Sequence, residues 1–149
     1  MRALIQRTDE ASVTIEHKQK AAIGPGMVIL LGIEHADTQS DVEYLCRKIA
    51  RLRIFDDPSG VMNLDIKQSQ GQVMVVSQFT LHADCSRGNR PSYINAARPE
   101  QALPLYELFL EQLSVECSQE VACGTFGATM FIKMVANGPV TILIDSKNR

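Results

Sequence analysis

The chain has 149 residues, of which 45% are hydrophobic and 21% are charged. This length fits one domain, residues 1–149, and the apolar share is enough for a full core. The formal net charge of −2 argues against a protein that holds long nucleic-acid duplexes through overall positive charge, but it permits contact with one end of an RNA.

Strand patterns dominate the N-terminal part of the chain. Residues 2–8 and 12–16 predict two strands, and residues 18–23 predict a short third one. The Gly-Pro-Gly at 24–26 breaks the pattern. The continuous apolar run that follows, residues 27–33, is typical of a strand buried on both faces.

A helix and another strand occupy the middle of the chain. The Ser-Asp-Val-Glu at residues 40–43 reads as a capping box, and apolar residues at helical spacing continue to about residue 51 or 52. A turn is predicted at 56–60, and residues 73–77 predict a strand. The polar, basic stretch 82–93 is predicted to be a loop of the kind that often carries function.

The C-terminal part returns from helix to strand. Residues 99–113 predict a second helix, in which Pro104 must either mark the true start or produce a kink. Strands are predicted from residue 121 and over 130–135 and 140–144. Two amphipathic helices cannot cover both faces of such a sheet, so a mixed α/β fold is expected in which some strands pack on other strands or on a partner chain.

The four cysteines and the apolar runs bear on cofactors and location. Cys46, Cys85, Cys117 and Cys123 form no Cys-x-x-Cys pair, and none has a histidine at ligand spacing, so we expect free thiols and no metal or cofactor. The chain shows no secretory signal and no apolar run of membrane-spanning length. We therefore expect a cytoplasmic protein with no membrane association.

The segment 77–81, Ser-Gln-Phe-Thr-Leu, directly follows a predicted strand and is the first candidate site. Ser77 and Thr80 are the nearest candidates for a nucleophile, but no base is identifiable, so they could equally cap backbone groups. A third interpretation is that backbone N–H groups around Phe79 and Thr80 form an oxyanion cradle. His82 is expected to be an exposed loop histidine rather than a catalytic one.

Two glycine-containing motifs lie nearer the C-terminus. The segment 124–128 is either a tight turn or one wall of a nucleoside pocket with Phe126 and Met130 as apolar contacts. Gly138 and Pro139 remove one backbone donor and could expose the Gly138 carbonyl, with the peptide bond either trans or cis. Each motif alone is a weak signal.

Four segments, 77–81, 87–93, 124–128 and 138–141, together resemble the D-aminoacyl-tRNA deacylases. They occur in order over essentially the whole chain. The resemblance implies mixed β-sheets in a layered, barrel-like β/β/α arrangement with two main helices. Two positions depart from the usual pattern, since Ala136-Asn137 replaces Asn-Asp and Tyr93 replaces Phe.

The resemblance also implies roles for individual residues. A homodimer is expected in which Gly138 and Pro139, joined in cis, reach into the other subunit's pocket and screen the chirality of the amino acid. The ester and the terminal adenosine would be held by Ser77, Gln78, Phe79 and Thr80. Arg7 would fix the Gly-Pro segment. The remaining substrate contacts would come from Phe126, Met130 and Asn137.

The implied reaction is metal-independent hydrolysis of the ester of D-aminoacyl-tRNA, and of glycyl-tRNA, at the tRNA 3′ end with help from the ribose 2′-OH. Orientation and oxyanion donors would then replace a catalytic triad. The alternatives are an esterase with Thr80 as nucleophile, a non-catalytic module that binds the tRNA end, and a purely structural dimerising domain.

Overall fold

The computed structural model describes residues 1–149 and contains eight strands and two α-helices. In chain order they are β1 (Arg2–Ile15), β2 (Lys18–Ile23), β3 (Gly26–Gly32), α1 (Gln39–Ala50), β4 (Phe55–Asp56), β5 (Met62–Leu64), β6 (Gln72–Ser77), α2 (Pro99–Cys117), β7 (Val121–Cys123) and β8 (Phe131–Asp145). A short 3-10 helix, Phe79–His82, follows β6. Neither α-helix combines the length and apolar character needed to cross a membrane.

Six of the strands form one mixed sheet in the order β2-β1-β3-β6-β7, with β8 also paired to β1. The long β1 runs antiparallel to β2, β3 and β8, whereas β3, β6 and β7 are parallel. The first half of β1 lies between β3 and β8, and its second half lies between β2 and β8. This arrangement curves the sheet into a nearly barrel-like α/β fold, as expected; β4 and β5 form a separate hairpin.

Two pairs of predicted strands are in fact single strands. The predicted strands 2–8 and 12–16 merge into β1, which ends at Ile15, and those at 130–135 and 140–144 merge into β8, which begins at Phe131. The polar and Gly-Pro segments between them are bulges rather than strand ends. The pairing of β1 with β8 shifts register between Gln6 and Thr8 and again before Glu10, and then continues.

Both faces of the central strand β3 are buried, as the apolar run at 27–33 predicts. Met27, Ile29 and Leu31 belong to a core cluster of 22 buried residues shared with α1 and α2. Val28 belongs to a second cluster of 6 buried residues. Since successive side chains of a strand point to opposite faces, the two clusters lie on opposite sides of the sheet.

The predicted capping box of the first helix is wrong by two residues. The N-cap is Thr38, not Ser40, and its backbone N–H donates to Asp41 Oδ2 at 2.9 Å. Burial alone would raise the pKa of Asp41, but hydrogen bonds from Lys147, Ser146 and Thr38 outweigh it and hold that pKa well below its usual value. The Asp41 carboxylate therefore joins the start of α1 to the C-terminal residues.

The second helix is four residues longer than predicted and begins at Pro99 with Pro104 inside it. Both prolines lie in the first two turns. The N–H of the first helical residue has no acceptor within the helix, so Pro99 costs no helical hydrogen bond. Pro104 lies further inside the helix, where the missing N–H does remove one. The helix ends at Ser118, which adopts a left-handed conformation with φ of 55°.

Candidate active site

A cleft of ≈ 540 Å³ opens where the parallel strands β3 and β6 end. Its walls come from these strand ends, from the beginning of α2 and from the segment 126–132. Twelve of its 17 lining residues are hydrophobic, so a bound group would contact mostly apolar surface. The carboxyl ends of parallel strands are the usual place for ligand sites in α/β sheets, because side chains and backbone donors converge there.

Two packed aromatic rings support the inner wall of the cleft. Phe126, which lines the cleft, lies 5.5 Å from the ring of the buried Tyr106 on α2. The Tyr106 hydroxyl donates to the Val75 carbonyl at 3.2 Å, and burial raises the pKa of this phenol. The contact fixes α2 against β6 and holds Phe126 in place.

Gly124 lets Met130 form the adjacent part of the wall. A Cβ at position 124 would lie 2.3 Å from Met130 Sδ, so the Met130 side chain would have to move from its present position. The segment 124–128 contains a turn, and Phe126 and Met130 line one cavity. That this cavity holds a nucleoside stays a prediction.

Ser77, Gln78 and Phe79, at the end of β6, line the cleft, and a 3-10 helix begins at Phe79. Because Phe79 and Thr80 are the first two residues of that helix, their backbone N–H groups have no partner inside it. Neither N–H donates to the surrounding loops or side chains. Two adjacent main-chain donors are thus free at the edge of an apolar cleft, which suits a developing oxyanion.

The hydroxyl of Thr80 has no base beside it. Its only hydrogen-bond partner is the Gln78 side-chain amide, which donates to Thr80 Oγ1. The Ser77 side chain forms no hydrogen bond within the protein. A hydroxyl without a base is a poor nucleophile, so the geometry favours the oxyanion cradle over covalent catalysis.

His82 is buried, which corrects the expectation of an exposed loop histidine. Only 3% of its surface is accessible, and its Nε2 has no hydrogen-bond partner. Its ring lies under Gly32, where an added Cβ would be 3.0 Å from His82 Cδ2. The 3-10 helix turns this side chain into the end of the sheet rather than towards the solvent.

An aromatic pair forms the outer rim of the cleft. The rings of Phe79 and Tyr93 meet edge to face with centroids 4.9 Å apart, and 54% of Phe79 remains exposed. Tyr93 thus contributes an aromatic ring to the rim of the cleft. Arg98, also in the lining, was not predicted; the signal for it was a cation at the N-cap position, immediately before Pro99.

The Gly-Pro segment protrudes from β8 as a bulge. Residues 137–140 of β8 lie opposite a single residue of β1, Arg7, because Gln6 pairs with Thr141 and Thr8 pairs with Ala136. Gly138 and Pro139 are exposed and are joined by a cis peptide bond. With φ of 118° and a Cβ position only 2.8 Å from Val140 Cγ2, position 138 accepts only glycine without strain.

The side chain of Arg7 forms the base of this bulge. Its Nε donates to the Asn137 carbonyl at 3.3 Å, and its Nη1 donates to the Ile54 carbonyl at 2.8 Å and to Asp56 Oδ1 at 3.1 Å. The Asn137 amide donates to Asp9 Oδ1 at 2.5 Å. The contacts put the Arg7 guanidinium against the carbonyl that precedes Gly138, and its role in fixing the Gly-Pro segment stays a prediction.

The predicted site residues form two groups that one chain does not bring together. Ser77, Gln78, Phe79, Phe126 and Met130 line the cleft, and Thr80 lies next to it. The second group consists of Arg7, Asn137, Gly138 and Pro139, and none of these lines the cleft.

The strand pairing gives the approximate distance along the sheet between the two groups of residues. Arg7 pairs with Met27 on β3, whereas Ser77 pairs with Leu31 of the same strand. Four residues of strand separate these positions, which corresponds to roughly 13 Å.

Comparison with known proteins gives a consistent match over the whole chain. Residues 4–145 match the family model described as D-Tyr-tRNA(Tyr) deacylase. A D-aminoacyl-tRNA deacylase of Bacteroides thetaiotaomicron is 54% identical over 149 residues, covering 100% of this chain and 99% of the relative. One of Flavobacterium johnsoniae is 50% identical with the same coverage.

Solved structures agree with the fold. A protein described as c-Myc DNA unwinding element binding protein superimposes with a TM-score of 0.91 at 40% identity, covering 97% of this chain and 98% of its own. A probable eukaryotic D-amino acid tRNA deacylase superimposes with a TM-score of 0.80, covering 96% and 97%, but at 15% identity it supports the fold alone. From its cleft, its ordered motifs and these matches, the chain belongs to the D-Tyr-tRNA(Tyr) deacylase family.

Proposed function

We propose that the protein hydrolyses the ester bond of D-aminoacyl-tRNA, and of glycyl-tRNA, in the cleft at the ends of β3 and β6. The deacylase activity follows from the family membership. The mechanism rests on the main-chain N–H groups of Phe79 and Thr80, which are unpaired within the chain and lie beside an apolar cleft. The Thr80 hydroxyl, by contrast, has no base beside it.

The chemistry requires little from side chains. An aminoacyl ester is already activated and carries the ribose 2′-OH beside its carbonyl, so this hydroxyl is proposed to assist the attacking water. The protein then orients the ester and stabilises the oxyanion through Phe79 and Thr80. Orientation can lower a barrier by about 7–11 kcal/mol at best, and one oxyanion donor contributes about 10²–10³-fold. Both effects act without a metal ion or cofactor.

The Gly-Pro bulge is proposed to serve the cleft of a second copy of the chain. It lies too far from the cleft of its own chain, yet it is exposed and held from behind by Arg7. The strand that carries it, β8, pairs only with β1 and contains no fully buried residue. Phe131 and Leu143 on this strand are 66% and 57% exposed, which suits a surface covered in a homodimer.

The Gly-Pro segment would discriminate between the two enantiomers by excluding the L-aminoacyl ester. Main-chain oxygens of Gly138 and its neighbours would occupy the side of the pocket where an L side chain projects, whereas a D side chain would point outwards. A rigid backbone cannot move aside, so the L ester is excluded by a clash rather than by weaker attraction. Glycine lacks the clashing group, and glycyl-tRNA is therefore expected to be hydrolysed.

Two further parts of the proposal concern organisation and place. Residues 1–149 are proposed to act as one domain, since the cleft is assembled from the end of β3, the end of β6, α2 and the start of β8. The substrate is charged tRNA, so the proposed place of action is the cytoplasm.

Purified protein incubated with D-Tyr-tRNA, L-Tyr-tRNA and Gly-tRNA in the presence of a chelator tests the proposal. We expect release of D-tyrosine and glycine but not of L-tyrosine. A protein that binds the tRNA end without hydrolysing any ester would instead be a non-catalytic module.

A further inference from the structure

A basic groove lies at the C-terminal end of α1, away from the cleft. It has a volume of ≈ 520 Å³ and is lined by Tyr44, Arg47, Lys48, Arg51, Leu52 and Arg53. Four of these six residues are cations and none is a carboxylate, although the whole chain carries a net charge of −2. The groove therefore concentrates four positive charges in one place on a chain that is negative overall.

The four cations of the groove are not neutralised within the chain. All four are exposed, and none forms an ion pair with a carboxylate of the chain. Arg53 is oriented by donating its Nε to the Asn63 carbonyl at 2.8 Å. Glu43, Glu111 and Glu116 lie beyond Arg47 on the neighbouring surface, so the positive potential is confined to the end of α1. A cluster of this kind attracts an anionic partner.

The groove lies at the same end of the molecule as the Gly-Pro bulge. One guanidinium joins them, because Arg7 donates both to the carbonyl of Ile54, the residue after Arg53, and to the carbonyl of Asn137, the residue before Gly138. If the bulge of one subunit enters the cleft of its partner, this contact through Arg7 would bring the groove near that partner's cleft. An RNA whose 3′ end is held there would continue past the groove.

We propose that the groove of Arg47, Lys48, Arg51 and Arg53 binds the phosphodiester backbone of the tRNA whose aminoacylated end lies in the partner subunit's cleft. This inference rests on the proposed function and gives the dimer a second role. Each subunit would test the chirality of the amino acid in its partner's cleft and would also bind the backbone of that tRNA. Phosphate contacts of this kind position an RNA without reading its sequence. They also make affinity depend steeply on salt.

The test neutralises three of the cations in R47Q/K48Q/R51Q, with K18Q/K20Q/K67Q as a control that makes the same change in net charge at exposed lysines elsewhere. Two substrates are compared: full-length D-Tyr-tRNA and the D-tyrosyl ester of a CCA trinucleotide, which lacks the rest of the tRNA backbone. Affinity for uncharged tRNA is measured over a series of salt concentrations.

We expect kcat/KM for D-Tyr-tRNA to fall at least about tenfold in the groove variant, and the salt slope of tRNA affinity to fall by about three, one for each lost phosphate contact. Hydrolysis of the trinucleotide ester should stay at the wild-type rate, and the control should match the wild type on both substrates. Equal loss on both substrates, or unchanged tRNA affinity, would overturn the groove assignment.

Two further outcomes separate the possible failures. If the wild type binds tRNA through the groove but hydrolyses no ester, the groove assignment stands and the proposed function is wrong. If the groove variant keeps full tRNA affinity but no longer binds vesicles of anionic lipid, the partner is a membrane surface and the assignment to RNA is overturned.

Discussion

Replacement of Arg7 by lysine should weaken the discrimination between D and L substrates. The planar guanidinium reaches the Ile54 carbonyl at 2.8 Å and the Asn137 carbonyl at 3.3 Å from different nitrogens. A lysine ammonium is a single point charge on a flexible stem and cannot span both acceptors. The shorter contact should survive, and the segment before Gly138 should lose its support.

The size of this effect follows from the lost contact. A hydrogen bond from a charged donor contributes about 1.5–3 kcal/mol, which corresponds to roughly 10- to 150-fold. Because the Asn137 contact is long at 3.3 Å, the lower end applies, and we expect the ratio of D-Tyr-tRNA to L-Tyr-tRNA deacylation rates to fall by about tenfold. Initial rates of amino-acid release from both substrates measure the ratio.

A matched control is available at Arg149, which also donates to two carbonyls, those of Ser146 and Ser40, but at a distance from the Gly-Pro segment. R149K should leave the D/L ratio unchanged. An unaltered ratio in a folded R7K protein would refute the role of Arg7 in supporting the screen.

Three other expectations concern the cleft, the fold and the dimer. Thr80→Val should keep turnover within about tenfold, because the cradle uses the backbone N–H and not the hydroxyl; near-total loss in a single-turnover assay would restore Thr80 as nucleophile. Asp41→Asn should lower the free energy of unfolding by about 1–3 kcal/mol at pH 7, measured by urea denaturation. The pKa of Asp41 is depressed in the folded state, so its contribution is complete above about pH 4 and is lost at lower pH, where the two proteins should converge. Light scattering should show a dimer, and a fully active monomer would contradict the cross-subunit screen.

Local patterns were enough to predict much of the fold. The apolar run at 27–33 has the length of a strand buried on both faces, and both helices follow from apolar residues at helical spacing. The continuity of β1 and β8 could not be predicted in the same way. Asp9-Glu10 and Gly138-Pro139 are turn-like in isolation, and only pairing across the two strands turns them into bulges.

The site was predictable for the residues that share a segment and not for those that depend on tertiary contacts. Ser77, Gln78 and Phe79 directly follow an evident strand, so their place at its end could be inferred. The burial of His82 depends on Gly32, 50 positions earlier in the chain. The choice of Thr38 over Ser40 as N-cap depends on contacts of Asp41 with the C-terminus, because both residues fit the local rule.

A mixed dimer tests the cross-subunit screen most directly. One subunit would carry Ala128→Trp, which fills its cleft, and the other would carry G138A/P139A, which removes its screen. Only the second subunit then has an open cleft, and the only intact Gly-Pro segment belongs to the first. We expect this mixed dimer to hydrolyse D-Tyr-tRNA and to spare L-Tyr-tRNA. Hydrolysis of both esters, as expected for the G138A/P139A homodimer, would show that each cleft uses the Gly-Pro segment of its own chain.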